Sequence, residues 1–463
     1  MALATANLAQ LRYIRESTFG TTPVAGVGEN IRMTGESLAY AIGTKVSGEL
    51  RSDRQETDLV QISASGTGGV NFELSYKEFD DFLEDALQST WLGANDVAGI
   101  TATITDANTL TASAATPFAG IIAGQTVRFT GWATPANNGI FTVVTASGTE
   151  LTFGAGLLTN EADVTVGFSS FGRTTLSVTT TSGTTLTAAT GDPFANVVVG
   201  QMIKISGMTT AANNQVAKVV TKTSSKILVF ASATFAANET AGTTRLSSSR
   251  LSNGVTQRSY TLERNLTDVT QFFAYRGMTL DKMSLKFASG DIVGGSFDFM
   301  GKDAVRAGET VIPGTSNLSD TFDVMNAVAG VGAILEAGAA LTGTFIKSLD
   351  LNTGNTLRAR DGIGTLGAVS IGSGTFVATG SMEVYLADGT LYDKFIANTA
   401  SALQWNVTDG AGNGYTLQLP NIKFSDAKVN AGGKDQDVML SMPFTALMDP
   451  TTTKTLLIDR FGV

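Results

Sequence analysis

The side chains that could do acid–base chemistry in this chain are mainly carboxylates, because its 463 residues include no histidine and no cysteine. That absence excludes disulfides, thiolate metal sites and cysteine nucleophiles, and it removes the commonest general base. Paired carboxylates still suffice for glycoside hydrolysis. The segment EFDD offers Glu78, Asp80 and Asp81, but they stand beside Phe82 and Leu83 at helical spacing. This pattern favours a solvated helix face over a catalytic pair.

A second candidate for chemistry is the segment DLNTGNTLRARDG, residues 350–362, which has some likeness to a calcium loop. It lacks the glycine and terminal glutamate spacing of an EF-hand. We therefore predict no metal site and no cofactor. The lack of both histidine and cysteine in so long a chain also argues against an enzyme.

Composition and charge favour a strand-rich protein of two to four domains. Charged residues make up only 16% of the chain, glycine occurs 51 times, and the net charge is −10 without a long acidic or basic run. Binding of nucleic acid through its phosphates needs clustered cations, so we expect no nucleic-acid binding site. The N-terminal residues MALATANLAQLRYIRES show no signal-peptide pattern, and no stretch has the length of a membrane span.

A tandem repeat lies inside the chain. PFAGIIAGQTVRFTGWATPANN at 117–138 recurs without a gap as PFANVVVGQMIKISGMTTAANN at 193–214. Alternating apolar residues between glycines predict short strands, so residues 98–172 and 173–249 are predicted to be two small inserted β modules, each a sandwich or barrel. Their role is either decoration or glycan binding. Trp132 aligns with Met208, which favours a core position over sugar stacking.

A weaker duplication relates the two flanks of this insertion. FELSY at 72–76 and MEVYL at 382–386 both alternate and both precede helical spacing, and Ser75-x-x-Glu78 fits a capping box. We predict a mostly β fold: β-sandwich or barrel modules, each with one helix, in tandem. The first module spans 1–97 and 250–315, and the second spans 320–463.

Several stretches resemble the tail tube (major tail) proteins of long-tailed, non-contractile bacteriophages. They cover both flanking modules but not the inserted pair: LRYIRESTFGTTP, TGESL, SDRQ, FELSYKEFDDFLEDALQS, SGDIVGGSFDFMG and VNAGGKDQDVMLSMPFTAL. The resemblance implies a virion structural protein whose rings stack into a hollow tube. Strands line the lumen, a helix packs outside, and long loops reach the adjacent ring.

The resemblance also implies partners and a mechanism. Those partners are further copies of the chain and the tail terminator, tape measure and distal tail proteins, with assembly in the host cytoplasm and no membrane. Rings of this family usually hold six modules, so two modules per chain predict a homotrimer, with a homohexamer as the alternative. An acidic lumen would let DNA slide through without specific binding.

Two groups of residues receive roles from this resemblance. The charged loops of the two modules predict ring-to-ring ion pairs, with solvated loops as the alternative; their residues are Arg51, Asp53, Arg54, Glu56, Asp58, Arg358, Arg360 and Asp361. Carboxylates that alternate with apolar strand residues are predicted to face the lumen, with an outer face as the alternative; they are Glu73, Glu383 and Asp298.

Two other functions remain open. One is a distal tail or hub component of the same machinery. The other is a secreted, β-rich adhesin or carbohydrate-binding protein, which the inserted modules suggest and the missing secretion signal disfavours.

Overall fold

The computed structural model describes residues 3–93, 95–113, 117–118, 121, 123, 126–170, 172–189, 194, 196–314, 316–328, 330–331, 334–340 and 345–462. Within them, strands dominate and the α-helices α1 (Asp80–Ala86) and α2 (Thr390–Ile396) follow corresponding strands of the two flanks. The predicted mostly β fold with one helix per flanking module is confirmed. The four module boundaries stay predictions.

The strands fall into three consecutive groups along the chain. Before the insertion lie β1 (Ala9–Arg15), β2 (Gly28–Ile31), β3 (Gly35–Glu36), β4 (Ala39–Val46), β5 (Leu59–Glu73) and β6 (Leu92–Gly93). The insertion holds β7 (Asn95–Ile104), β8 (Thr109–Ala112), β9 (Thr126–Thr130), β10 (Gly139–Thr142), β11 (Thr145–Ala146), β12 (Glu150–Thr152), β13 (Glu161–Ser170), β14 (Gly172–Thr181), β15 (Thr185–Ala188), β16 (Met202–Ser206), β17 (Gln215–Ser224), β18 (Ile227–Phe230) and β19 (Thr240–Ser247). After it come β20 (Ser249–Ser252), β21 (Tyr260–Leu266), β22 (Gln271–Ala288), β23 (Gly294–Gly301), β24 (Asp303–Ala307), β25 (Ser316–Asn317), β26 (Leu335–Glu336), β27 (Ala339–Ala340), β28 (Ile346–Gly354), β29 (Arg358–Arg360), β30 (Ser370–Gly372), β31 (Val377–Tyr385), β32 (Ser401–Thr408), β33 (Gly414–Phe424), β34 (Lys428–Ala431), β35 (Val438–Ala446) and β36 (Leu457–Phe461).

The chain divides into two compact units. Unit 1 comprises Met1–Ser89, Asn253–Gln404 and Leu419–Leu456. Unit 2 comprises Thr90–Ser252, Trp405–Gln418 and Leu457–Val463. The inserted modules therefore belong to unit 2, and most of both flanks belongs to unit 1.

Unit 1 is built on one antiparallel sheet, which we call the long sheet. Its strands follow the order β4, β5, β23, β22, β28, β31, β35, with β33 and β34 together at the far end. The short strand β3 extends β4 along β5. The middle pairing, β22 with β28, joins the four strands of the first flank to those of the second; we call it the internal seam.

A second sheet and α1 cover one face of the first four strands. Strand β1 pairs with β2 and β21, and β21 pairs with the start of β22, which also pairs with β24. The ring of Phe82 on α1 lies 5.5 Å from that of Tyr260 on β21 and 5.3 Å from that of Phe299 on β23. Helix α1 is therefore held by aromatic packing between the two sheets, as in a β-sandwich with a helix in its core.

The two halves of the long sheet match in detail at a bulge. On β22 one extra residue intervenes between Leu280, which faces Phe299, and Lys282, which faces Asp298. On the far edge, three residues separate Phe424, which faces Phe444, from Lys428, which faces Ser441. Only two residues separate Phe444 from Ser441 on the partner strand, so here too one residue is extra. Bulges are specific local features, so their equal placement next to Phe299 and Phe444 aligns β22 with the β33–β34 edge.

Two glycines give the same alignment for the neighbouring strands. Gly68 faces Phe299 and Gly380 faces Phe444 across their respective ladders. A Cβ on Gly68 would collide with the carbonyl oxygen of Ser37, and one on Gly380 with that of Asp350. Both positions thus require glycine because the next strand approaches too closely for a side chain. The β3–β4 edge consequently corresponds to β28, and β5 to β31.

Unit 2 contains the inserted modules and the strands from which they emerge. Strands β7–β13 form one sheet in the order β10, β9, β13, β7, β8, β12, β11, and β14–β19 form a closed barrel. Trp132 and Met208 occupy corresponding core positions and are 4% and 6% exposed. The core interpretation of Trp132 is therefore correct.

In each inserted module, an asparagine of the repeated NN dipeptide donates a hydrogen bond to a glutamate carboxylate. The side chain of Asn137 donates to Glu161 at 3.0 Å, and that of Asn213 donates to Glu239 at 2.8 Å. Burial alone would raise the pKa of Glu239, but hydrogen bonds from Asn213 and Thr210 outweigh it and lower that pKa. The first asparagine of each NN dipeptide thus serves as a buried hydrogen-bonding centre beyond the role of the dipeptide in a turn.

Two expectations about α1 are wrong. The carboxylates of Asp80 and Glu78 are buried, so EFDD is not a solvated face. The predicted capping box is absent, because the helix begins at Asp80 and Glu78 instead accepts hydrogen bonds from the backbone N–H groups of Arg32 and Asp320. Tertiary contacts supply the donors that a capping box would have taken from the helix itself.

Candidate functional site

One face of the long sheet is polar and open, and it carries the predicted lumen residues. On β5, Val70 and Phe72 are buried while Asn71 between them is exposed. On β31, Met382 and Val384 are buried while Glu383 is half-buried. Because side chains alternate along a strand, the apolar residues pack inward and the polar ones share the opposite face.

Glu73, Asp298 and Glu383 all lie on this polar face. Asp298 lies directly opposite Lys282 in the pairing of β23 with β22. Glu383 forms an ion pair with Lys347, in which Nζ and Oε2 are 3.4 Å apart. By the register set by the two glycines, Glu383 corresponds to Asn71 rather than to Glu73, with which the sequence aligns it. A shift of two residues keeps the side chain on the same face.

Lysines balance the carboxylates on the polar face. Lys286 lies opposite Asp350 across the internal seam. The charged residues that share this face or form an ion pair with it are Glu73, Asp298, Asp350 and Glu383 with Lys282, Lys286, Lys347, Lys423 and Lys428. The described part of the face is therefore close to neutral, with opposite charges on neighbouring strands.

Both ends of the long sheet are open edges. Strand β4 pairs with β5 and β34 with β35; among the residues described, neither has a second partner strand. All four residues of β34 are exposed, as are seven of the eight on β4. Such edges present unpaired N–H and C=O groups and serve as templates for another strand.

The charged loop of the first flank connects β4 to β5. Arg51 and Asp53 form a bidentate ion pair within the loop, with Nη2 and Oδ2 2.7 Å apart and both side chains exposed. The hydrogen bond from Arg51 lowers the pKa of Asp53. Arg54 has a positive φ of 60°, and Asp58 accepts a hydrogen bond from the N–H of Leu59. Arg54, Glu56 and Asp58 are exposed.

The charged loop of the second flank connects β28 to β31, the corresponding strands. Arg358 and Arg360 lie on β29, which pairs with β30, and Arg358 donates to the carbonyl of Ser373 at 3.2 Å. Arg358, Arg360 and Asp361 are exposed. The two loops therefore leave equivalent places of the long sheet, and their role in ring stacking stays a prediction.

Sequence reasoning missed a group of buried ionisable residues in unit 1. Asp85 accepts hydrogen bonds from the N–H groups of Leu280 and Arg258, and burial raises its pKa to about 7. Burial also raises the pKa of Glu29 to about 8, against the opposing hydrogen bond from Asn317. Only the apolar companions of α1 signalled burial, since charge in sequence usually marks a solvated face.

Two properties of the described residues bear on other classes of function. No group of acidic side chains among them has the arrangement of a metal site. No helix in the same part of the chain is long and apolar enough to cross a membrane.

Comparison with known protein families gives a match that covers most of the chain. A family model described as "Phage tail tube protein" matches residues 6–225 and, a second time, residues 206–446. The double match bears out the tandem arrangement of the fold. A search of curated proteins finds no match.

Proposed function

Because the chain belongs to the phage tail tube protein family, we propose that the long sheet is its share of the tube wall, with the polar face toward the lumen. The family is one of structural, generally non-enzymatic proteins, and the chain is a component of the virion tail. The observation that carries the proposal is an antiparallel sheet covered on one face, polar on the other and open at both edges.

The proposed conduit works by not holding DNA. A wall grips phosphates when it presents clustered, unpaired cations. Here Lys282 and Lys286 stand opposite Asp298 and Asp350, so their charge is locally offset. The acidic lining expected from the resemblance stays a prediction; a near-neutral lining of paired charges would serve the same passage.

The ring count follows from the duplication. Each chain supplies two four-stranded segments that correspond at the bulge and at Gly68 and Gly380. If a ring holds six such segments, three chains close it, and head-to-tail contacts that return on themselves form a closed ring. Stacked rings then form the tube, with the loops at 51–58 and 357–364 between them.

Electron microscopy of the purified chain tests the tube. We expect rings and hollow tubes, and native mass spectrometry of a single ring should give three chains. Discrete monomers at every concentration would contradict the tube, and rings of six chains would contradict the trimer alone. A distal tail or hub component would instead form single rings that never stack.

A cysteine-labelling experiment tests which face lines the lumen. The chain has no cysteine, so single variants report one site each. In assembled tubes, Asn352→Cys on the polar face should resist a bulky maleimide polymer, whereas Asn238→Cys, exposed in the inserted barrel, should react fully. Equal labelling of both would place the polar face outside the lumen.

A further inference from the structure

The internal seam shows how two copies of the four-stranded segment join. Strands β22 and β28 pair antiparallel, with Ser284 opposite Asn352 and Leu285 opposite Leu351. The two leucines are 2% and 0% exposed, so the seam is closed by apolar contact on the covered face. The N–H of Asn355 donates to the carbonyl of Asp281, which shows that the odd-numbered residues of β28 direct their backbone groups at β22.

The free edges of the long sheet are the counterparts of the two seam strands. The bulge next to Phe444 makes β34 the counterpart of β22, so that Lys428 takes the place of Ser284. The glycine contacts make the β3–β4 edge the counterpart of β28, so that Ser37 takes the place of Asp350 and Ala39 that of Asn352.

We propose that the β34 edge of one chain pairs antiparallel with the β3–β4 edge of a second copy, in the register of the internal seam. Lys428 then lies opposite Ala39 of the partner subunit, and Val429 opposite Leu38 of the partner subunit. This inference rests on the proposed tube and identifies the strands and register by which its subunits join.

Exposed apolar side chains on both edges support the pairing. Val429 is 45% exposed and Tyr40 is 39% exposed, although both lie on the face that is elsewhere covered. In the internal seam the counterpart of Val429 is the buried Leu285. Pairing of the edges therefore places these side chains in the environment that their counterparts already occupy.

On the β3–β4 edge, the backbone groups of Leu38 already form hydrogen bonds within the chain. The carbonyl of Leu38 accepts hydrogen bonds from Arg264 at 2.7 Å and Tyr275 at 3.1 Å, and its N–H donates to the carboxylate of Glu36 at 2.7 Å. Tyr40, the counterpart of Thr353, has no such backbone hydrogen bond among the described contacts. Its N–H and C=O groups point out of the sheet edge, as those of Thr353 point toward β22. Between chains, the N–H of Tyr40 therefore meets the carbonyl of Ala427, whose own N–H donates to Asp426 at 2.8 Å. Leu38 and Val429 lie opposite each other without a backbone hydrogen bond.

An engineered disulfide tests this register. The pair Lys428→Cys with Ala39→Cys corresponds to Ser284 and Asn352, which are a non-hydrogen-bonded pair, and such pairs bring their Cβ atoms within disulfide reach. Under oxidation of the assembled protein we expect chains linked into dimers and a closed trimer on non-reducing gels. Ser284→Cys with Asn352→Cys is the matched control and should link only within a chain.

A shifted pair makes the test specific. Lys428→Cys with Ala41→Cys keeps both side chains on the same face but moves one by two residues, and we expect about tenfold less cross-linking. If tubes form but the in-register pair stays unlinked, or links no better than the shifted pair, the register is overturned and the tube survives. If no rings or tubes form, the proposed function fails and this inference with it.

Discussion

Glu84 on α1 and Arg258 ahead of β21 form an ion pair inside unit 1, with Oε2 and Nη2 3.3 Å apart. Both side chains are almost fully buried, and Arg258 also donates to the backbone carbonyl of Glu84 at 3.3 Å. The pair fastens the helix to the chain that returns from the insertion. Removal of either partner would leave the other charge buried and unpaired, which lowers the stability of the fold strongly.

Arg258→Ala should therefore destabilise unit 1 by about 3–5 kcal/mol, because it strands the Glu84 carboxylate in the core. The three tryptophans, Trp91, Trp132 and Trp405, all belong to unit 2, so fluorescence would not report the change. Hydrogen exchange of the α1 segment is the suitable measurement. Lys434→Ala removes an exposed cation and should leave that exchange unchanged; unchanged protection in Arg258→Ala would contradict the role of the pair.

The stability of unit 1 should fall as the pH rises from about 4.5 to about 8 through the titration of Glu29. Its pKa is about 8 in the folded chain and near 4.5 when unfolded, so the folded form holds a proton that the unfolded form releases. The loss is at most about 1.4 kcal/mol per pH unit.

Glu29→Gln removes that titration while it keeps an oxygen to accept the hydrogen bond from Asn317. Melting temperatures of the two proteins should coincide near pH 4.5 and separate in favour of the variant toward pH 8. Glu56→Gln, at an exposed loop position, serves as the control. A constant difference across this range would refute the assignment.

Gly380→Ala should weaken the long sheet by about 1–3 kcal/mol, because the added methyl group meets the carbonyl of Asp350 and the ring of Phe444. Gly48→Ala is the control, since nothing lies within 4 Å of a Cβ there. Urea titration followed by circular dichroism compares the two. Equal midpoints would show that β28 and β31 can separate without cost.

Asn213→Ala should destabilise the closed barrel by about 2–3 kcal/mol, since buried groups lose their partners. Its Nδ2 donates to Glu239 and to the carbonyl of Ala237, and its Oδ1 accepts from the N–H of Ala236 at 2.8 Å. Proteolysis of the barrel should accelerate accordingly. Asn238→Ala, at an exposed position nearby, should be cleaved at the original rate.

Sequence periodicity was sufficient for the strands and insufficient for their register. Alternation at Phe72 and Leu74, or at Met382 and Val384, predicts the covered face because every second side chain must be apolar. The alignment of Glu73 with Glu383 is off by two residues because the connection from β31 to α2 is shorter than that from β5 to α1. The bulges that fix the true register leave no signature in composition.

Charge was the least reliable guide along α1. Glu84 and Asp85 are buried because Arg258 and backbone N–H groups more than a hundred residues away meet them, and no local pattern reveals such partners. The inserted repeat was the easiest element to find, since its two copies fold by the same contacts at Asn137 and Asn213.

Gly93 and Ser249 are paired across β6 and β20, so the whole insertion departs and returns through adjacent positions of one ladder. Genetic exchange at that point would replace the inserted modules while β6 and β20 keep their pairing. A lineage of phages is thereby free to duplicate, trade or diversify this segment by recombination, with selection acting on the segment separately from the framework that bears it.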